Sequence, residues 1–275
     1  MASELTKRLT VAAVGIPVCI AVAYTGGVVF AAGLGILAYL GVGEIGAMLG
    51  ERGRRQMTRV GAILAGLFPL AALIFGSQAI GWLAVGCLLG LMGFATLRIP
   101  PEEMPFQTAA LTFTAVIYVG GLLAFGVALR EWLPGRVEGT LLFFLPVVVT
   151  WVVDTAAYTG GRAMGRRKLA PAISPNKTVE GGLSGLLAGP VAAVVYTWIA
   201  LPDIAAGLGL GRLLALGIVL AAAAIMGDLA ESSLKRECRV KDSSALLPGH
   251  GGLLDRMDSL LWTIPVAYFF FAAIA

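Results

Sequence analysis

The chain has 275 residues, of which 58% are hydrophobic and 13% are charged. Soluble domains carry about 25% charged residues, so this composition excludes an ordinary soluble protein and indicates a polytopic membrane protein. The net charge of +4 arises from cations in short segments between apolar runs, which form no basic face of the kind that binds nucleic acid.

Apolar runs long enough to cross a bilayer recur along the whole chain. One crossing needs about 20 apolar residues in a helix, and shorter runs are tolerated. We therefore predict an all-α polytopic integral membrane protein with about nine transmembrane helices. They lie approximately at residues 9–25, 28–49, 60–76, 79–97, 107–129, 140–160, 181–200, 212–230 and 259–275. We predict one integral membrane domain, 1–275, with N-terminal helices at about 1–129 and a catalytic portion at about 140–275.

The distribution of cations predicts the orientation of these helices. With a cytoplasmic N-terminus, all but three of the 20 Lys and Arg residues, Arg130, Arg136 and Arg212, fall on the cytoplasmic side. The positive-inside rule therefore favours this orientation in the cell membrane and puts the C-terminus on the outer side. Glu44 is the one acid within the spans of the first half, and we expect it to snorkel or to pair with an arginine.

A polar stretch at residues 151–182 follows the sixth predicted span. Asp154 and Tyr158 are four residues apart, so they lie on one helical face at the inner end of that span. Pro171 and Pro175 keep the following segment extended and prevent it from being helical. Topology alone requires a basic cytoplasmic loop here, but the segment also offers side chains that can bind phosphate or sugar. These are Ser174, Asn176, Lys177 and Thr178.

The longest polar passage, residues 227–259, lies between the last two predicted spans. Asp255 and Asp258 are three residues apart, so on a helix both would project from one face with Cβ atoms about 5–6 Å apart. Asp228 ends the preceding apolar run and could approach that pair. Because Mg²⁺ prefers carboxylates shared with substrate phosphates and water, we predict a metal site at Asp228, Asp255 and Asp258. The alternative is that Asp255 pairs with a loop cation and Asp258 caps the last helix.

The cations of this passage suit a substrate that carries several phosphates. Lysine and arginine clamp phosphate oxygens, and this role is predicted for Lys235, Arg236, Lys241 and Arg256, with a solvated face as the other interpretation. The glycines within residues 248–252 allow tight turns and close approach of the backbone to a ligand. Together these features indicate phosphoryl or nucleotidyl transfer.

The order of these residues resembles the family motif of phosphatidate cytidylyltransferase, also called CDP-diacylglycerol synthase. The match runs Ser232-x-Leu234-Lys235-Arg236, then Lys241-Asp242, then Leu247-Pro248-x-His250-Gly251-Gly252-Leu253-x-Asp255-Arg256-Met257-Asp258. Residues 154–181 are similar to a second block of the family, DTxAYxxGRxxGxxKLAPxISPxKTVEG. This block implies a nucleotide-binding segment that contains Asp154, Tyr158, Ser174, Pro175, Asn176, Lys177 and Thr178. A lysine is common in the family where Asn176 stands, which weakens a phosphate contact there and leaves it at Lys177.

The resemblance implies that the protein transfers the cytidylyl group of CTP to phosphatidic acid, forming CDP-diacylglycerol and pyrophosphate in phospholipid biosynthesis. It also implies Mg²⁺, with or without a second cation, an active site that faces the cytoplasm among membrane lipids, and a homodimer. The residues assigned to catalysis are Asp228, Lys235, Arg236, Lys241, Asp242, His250, Asp255, Arg256 and Asp258. Because the lipid phosphate is itself a competent nucleophile, His250 is expected to donate a hydrogen bond or support the structure, and not to act as a base.

Three other functions compete with this interpretation. A CTP-dependent lipid or polyprenol kinase would transfer the γ-phosphoryl group to an alcohol, and the match at residues 232–258 argues against it. A CDP-alcohol phosphotransferase would carry the motif DGxxAR followed by GxxxDxxxD, which the sequence lacks. A transporter would place its charged residues near the middle of the membrane, whereas here they cluster toward one face.

Overall fold

The computed structural model describes residues 4–51, 56–246 and 251–274, with side chains at 13–50, 56–246 and 251–274. The N-terminal helices are α1 (Glu4–Thr25), α2 (Gly27–Glu51), α3 (Thr58–Phe75), α4 (Gln78–Arg98), α5 (Pro105–Ala115) and α6 (Leu122–Arg130). A 3₁₀ turn, Pro101–Glu103, precedes α5, and a π-helical segment, Val116–Gly121, joins α5 to α6. The C-terminal helices are α7 (Arg136–Met164), α8 (Val179–Ala200), α9 (Pro202–Glu237), α10 (Leu254–Met257) and α11 (Leu260–Ile274). Strands β1 (Lys168–Ala170) and β2 (Ser174–Thr178) lie between α7 and α8.

In the described part of the chain, eight helical stretches are long and apolar enough to cross a membrane. They are Gly27–Gly50, Thr58–Phe75, Gln78–Arg98, Pro105–Arg130, Arg136–Met164, Val179–Ala200, Pro202–Glu237 and Leu254–Ile274. The stretch Ala13–Thr25 is also an apolar helix but is shorter. Each predicted span from 28–49 onward overlaps one of the eight, so the prediction of a nearly all-α, multi-pass membrane protein is confirmed.

One helix differs from its predicted bounds, and a segment predicted to be extended is confirmed as non-helical. The span predicted at 212–230 belongs to α9, which begins at Pro202, breaks at Gly209 (φ 71°, ψ 166°) and continues to Glu237. The extension has a local cause, because residues 229–237 are rich in good helix formers and contain a Glu231 to Lys235 pair in the favourable i,i+4 orientation. The segment predicted to be extended forms an antiparallel hairpin in which Lys168 pairs with Thr178 and Ala170 with Ser174.

The chain divides into two compact units. The first unit comprises Met1–Glu131 with Glu237–Arg256, and the second comprises Trp132–Arg236 with Met257–Ala275. In the first unit α2 packs on α3, α3 on α6 and α4 on α5, around fully buried side chains that include Phe68 and Leu123. In the second unit α7 packs against α8 and α11. Helices α8 and α9 also touch there, since a Cβ on Gly217 would lie 2.6 Å from the carbonyl oxygen of Gly189. Small residues allow such close approach between membrane helices.

A buried arginine in the first unit donates hydrogen bonds to backbone carbonyl groups at the C-terminal end of α1. Arg130 is 4% exposed, and its guanidinium donates to the carbonyl oxygens of Ala23 at 3.1 Å and Tyr24 at 3.3 Å. It also donates to Glu131 Oε1 at 3.3 Å, which accepts the backbone amide of Gly27 at 3.1 Å. These contacts supply partners for the last carbonyl groups of α1, which have none within the helix.

Replacing Arg130 with leucine is expected to destabilise the folded protein by about 3 kcal/mol, because buried carbonyl groups and Glu131 lose a charged donor. The measurement is thermal unfolding in detergent, followed through the reactivity of the buried thiols Cys87 and Cys238. Arg136→Leu is the matched control, since Arg136 is exposed at the start of α7. Equal melting temperatures for the two variants would contradict this role of Arg130.

Candidate active site

The second unit contains a cavity of about 650 Å³ that several elements line. Helices α7, α8 and α9 and strand β2 all contribute to its walls. Six of its lining residues were predicted from the sequence. Five lie in the matching block at residues 154–181, and the sixth lies four residues before the motif that begins at Ser232. These are Asp154, Tyr158, Asn176, Lys177, Thr178 and Asp228. The fold therefore brings together polar residues that are up to 74 positions apart in the sequence.

Strand β2 is fixed to the start of α8 by local capping. Thr178 has an extended backbone (φ −120°, ψ 154°), and its hydroxyl accepts a hydrogen bond from the amide of Gly181 at 3.1 Å, as an N-cap residue does. The carboxylate of Glu180 accepts the amides of Arg166 at 3.0 Å and Arg167 at 3.2 Å, in the turn before β1. Both ends of the hairpin are thus tied to α8, and this positions Lys177 at the cavity.

An ion pair and two further carboxylates lie at the cavity. The ammonium group of Lys177 is 2.5 Å from Asp228 Oδ2, and each side chain is about one-third exposed or less, 26% and 31% respectively. Asp154 interacts electrostatically with Asp228 and with Asp258, and Lys177 partly offsets their repulsion. Asp154, Asp228 and Asp258 are therefore near enough to interact as charges, and Lys177 is paired with Asp228.

Helix α9 holds Asp258 close to Asp228 through a glycine. A Cβ on Gly227 would lie 2.7 Å from the carbonyl oxygen of Asp258 and 2.9 Å from Ser259 Cα, so the backbone of this turn packs directly on the helix. Asp258 Oδ1 accepts the amide of Ser259 at 2.6 Å, and Asp228 Oδ1 accepts the hydroxyl of Ser232 at 3.3 Å. These contacts orient the two carboxylates on neighbouring backbone segments.

Two predicted phosphate clamps have protein partners in the structure. Lys235 Nζ lies 2.5 Å from Glu231 Oε2, and the Glu231 side chain is fully buried while that of Lys235 is 13% exposed. Lys235 also attracts Asp258 electrostatically. Arg236 Nε donates to the carbonyl oxygen of Ile173 at 3.2 Å, in the turn of the hairpin. Both cations therefore help to order the surroundings of the cavity residues.

The remaining predicted residues lie away from this cavity lining or in the first unit. Asp255 Oδ2 accepts the Ser243 amide at 2.9 Å, the Ser243 hydroxyl at 2.9 Å and the Gly252 amide at 2.7 Å, all within the first unit. Lys241, Asp242 and Arg256 are exposed there. Ser174 and Pro175 lie on β2, and His250 lies outside the described residues. The catalytic roles predicted for these residues stay predictions.

The metal prediction concerns Asp228, Asp255 and Asp258. Among residues 4–51, 56–246 and 251–274, no three His, Cys, Asp or Glu side chains form a group that could hold a metal ion. Mg²⁺ is commonly held by one or two carboxylates together with substrate phosphates and water, so it does not require three. Asp228 and Asp258 are two carboxylates that interact as like charges, and a cation bound to both would relieve their repulsion.

Several residues that line the cavity or hold neighbouring segments were not predicted as site residues from the sequence. Arg162 lines the cavity and donates to the hydroxyl of Tyr158 at 3.3 Å, a contact that their i,i+4 spacing on α7 could have indicated. Glu231 likewise stands four residues before Lys235. The expectation that Glu44 snorkels is wrong, because it is buried and accepts hydrogen bonds from serine hydroxyls and backbone amides. The arginines that follow α2, at 52, 54 and 55, lie outside the described residues, so the alternative of an arginine pair stays a prediction.

The fold and the cavity together define a membrane protein with a pocket lined by carboxylate, cationic and apolar groups of α7, α8, α9 and the hairpin. A model of the cytidylyltransferase family matches residues 6–274, and the chain belongs to this family. The chain is 34% identical over 195 residues to the phosphatidate cytidylyltransferase of Haemophilus influenzae, covering 70% of this chain and 67% of that protein. It is 34% identical over 218 residues to the enzyme of the same name from Bacillus subtilis, covering 78% and 77%. A third, from Staphylococcus epidermidis, is 36% identical over 211 residues, covering 74% and 77%.

Proposed function

We propose that the protein is a phosphatidate cytidylyltransferase, which transfers the cytidylyl group of CTP to phosphatidic acid and forms CDP-diacylglycerol and pyrophosphate for phospholipid biosynthesis. The observation that carries this proposal is the cavity lined by Asp154, Lys177 and Asp228, since it joins residues of the block at 154–181 to the helix that leads into the motif at 232–258. Membership of the cytidylyltransferase family and the names of the three relatives support it.

The reaction needs no nucleophile from the protein. An oxygen of the lipid phosphate forms a bond to the α-phosphorus of CTP, the bond from that phosphorus to the bridging α,β oxygen breaks, and pyrophosphate leaves with the electron pair. Catalysis then consists of positioning and of neutralising phosphate charge. Lys177 and Arg162 supply positive charge at the cavity, and Thr178 and Asn176 supply neutral hydrogen-bonding groups for CTP. Lys235, Arg236, Lys241 and Arg256 are further proposed phosphate clamps.

Magnesium is the proposed cofactor. Asp228 and Asp258 would hold the ion together with phosphate oxygens of CTP, and Asp255 stays a predicted third ligand. When bound, Mg²⁺ would neutralise charge on the phosphates and stabilise the leaving pyrophosphate. Asp154 interacts electrostatically with Asp228 and Asp258 and would lie near the bound ion.

The topology that suits this function has nine spans, with α1 as the first. A cytoplasmic N-terminus would place the cavity residues and most cations at the cytoplasmic face of the cell membrane, where CTP is available, and the C-terminus on the outer side. Phosphatidic acid would present its phosphate at the headgroup level of the same face. A homodimer is the assembly that the family resemblance implies, and it is proposed on that ground alone.

The test is direct transfer of label by purified protein in mild detergent. We expect label from CTP labelled at the α-phosphorus to enter the lipid phase when phosphatidic acid and Mg²⁺ are present, and EDTA to abolish the transfer. A parallel reaction with γ-labelled CTP and diacylglycerol or a polyprenol tests the kinase alternative. Transfer of γ-label, or no transfer of α-label by folded protein, would overturn the proposed function.

A further inference from the structure

The carboxylate of Glu44, in α2, accepts hydrogen bonds from four residues of the first unit that are far from it in sequence. Glu44 Oε1 accepts the Ser244 hydroxyl at 2.5 Å and the Leu253 amide at 2.8 Å. Its Oε2 accepts the Ser243 hydroxyl at 3.0 Å and the Leu254 amide at 2.8 Å. The donors are about 200 residues away in sequence and lie at the two ends of residues 243–254, here called the motif segment. Both ends of the motif segment therefore bind one side chain of a membrane helix.

Glu44 and its donors depend on one another. The Glu44 residue is 7% exposed in an otherwise apolar span, where a carboxylate is costly unless donors meet its charge. Leu254 is buried as well, so its amide would lose its partner if Glu44 were absent. The arrangement is therefore a mutual anchor between α2 and the motif segment, and not a surface carboxylate held by solvent.

The anchor continues to a residue of the family motif. The Ser243 hydroxyl lies 3.0 Å from Glu44 Oε2 and 2.9 Å from Asp255 Oδ2, so its single hydrogen serves both carboxylates, and the Ser243 amide donates to Asp255 Oδ2 at 2.9 Å. Gly252 also donates to Asp255, and it packs so tightly that a Cβ there would overlap the Ser243 hydroxyl and lie 2.8 and 2.9 Å from the Glu44 oxygens. The position of the Asp255 carboxylate is thus set by groups that Glu44 holds.

We infer that Glu44 is a positioning residue for cytidylyl transfer. It holds residues 243–244 and 252–254, and through Ser243 it fixes the carboxylate of Asp255 in the arrangement that the reaction requires. This inference rests on the proposed function. It assigns a role in the reaction to a span residue outside both matching sequence blocks.

The decisive variant is Glu44→Gln, which preserves the size of the side chain. Either orientation of the amide turns its NH₂ group toward one backbone amide and one serine hydroxyl that donate to the carboxylate in the wild type, so the anchor is weakened without a cavity. We expect kcat to fall about 10- to 100-fold because reacting groups are displaced, with the KM for CTP changed less than about twofold. Glu44→Asp keeps the charge and should recover part of kcat. Glu102→Gln, which changes an exposed carboxylate, is the control and should keep wild-type kcat.

A purely structural role predicts a different pattern, namely a lower melting temperature with unchanged kcat per folded molecule. That pattern, or wild-type kcat in Glu44→Gln, would overturn the inference. The path through Ser243 requires that Glu44→Gln and Ser243→Ala be non-additive in kcat. Additive losses would overturn it.

Hydrogen exchange gives a readout that does not need activity. Amides in peptides covering residues 251–257 should exchange at least about tenfold faster in Glu44→Gln, while those of α3 stay unchanged. If the wild-type protein transfers no label, the proposed function fails and the role of Glu44 in it falls too. If the wild-type protein transfers label and Glu44→Gln matches it in rate and exchange, the inference alone fails.

Discussion

Replacing Asp228 with asparagine is expected to lower kcat for cytidylyl transfer by about 10³-fold or more, which corresponds to about 4 kcal/mol of transition-state stabilisation. Asparagine has the shape of aspartate but no charge, so it weakens the proposed hold on Mg²⁺ and ends the ion pair with Lys177. The measurement is the initial rate of α-label transfer at saturating CTP, together with a Mg²⁺ titration. The variant should need more Mg²⁺ for its half-maximal rate.

The matched control is Asp203→Asn, because Asp203 is an exposed carboxylate in the first turn of the same helix. It should keep kcat and the Mg²⁺ requirement of the wild type. Melting temperatures of both variants establish that the proteins are folded. An Asp228→Asn protein that is folded and works within about tenfold of the wild-type rate would remove Asp228 from the proposed metal site.

Most of the membrane helices could be predicted because their signal is local. An apolar run of about 20 residues must be helical in a bilayer, since every backbone polar group needs a partner inside the segment. The end of α9 could not be placed in this way. Its last turns carry serine, lysine, arginine and glutamate, and their low hydropathy predicts a loop. The helix nevertheless continues, because these turns contain good helix formers and the Glu231–Lys235 pair.

The site was only partly predictable, because its geometry depends on contacts between distant residues. The block at residues 154–181 identified Asp154 and Lys177, the end of an apolar run identified Asp228, and the cavity in the second unit contains all three. No spacing rule relates Asp154 to Asp228, and only the packing of α7 and α9 around the hairpin does so. Glu44 shows the same limit more strongly, since its four donors follow it by about 200 residues and a lone acid in a span gives no indication of them.

The ion pair between Lys177 and Asp228 has a consequence for the order of binding. In the absence of substrate, Lys177 and Asp228 neutralise each other's charge. Both side chains are partly buried in the cavity, where an unpaired charge is costly. A Mg²⁺–CTP complex carries both a cation for Asp228 and phosphates for Lys177, so it can replace both halves of the pair together. Free CTP would have to separate Lys177 from Asp228 without compensating the carboxylate, and it should bind more weakly than the complex.

Replacing Lys177 with methionine is therefore expected to lower kcat/KM for CTP by about 100-fold, through loss of a charged contact to phosphate. Methionine keeps most of the length of the side chain, and Lys177→Arg should retain part of the activity because it keeps the charge. The measurement is the full dependence of the initial rate on CTP at fixed Mg²⁺ and phosphatidic acid. A nucleotide-binding role predicts that the KM for CTP rises more than the KM for the lipid.

Arg166→Met provides the control, since Arg166 is exposed just before the same hairpin and lies at a variable position of the block. Its kinetics should stay close to wild type, which would show that loss of any one positive charge near the hairpin is not sufficient. Losing Lys177 also leaves Asp228 without its cation, so the variant should bind Mg²⁺ at least as well as the wild type while it uses CTP poorly. If Lys177→Met instead raised the Mg²⁺ requirement and left the KM for CTP unchanged, Lys177 would act by orienting Asp228 and would not contact the nucleotide.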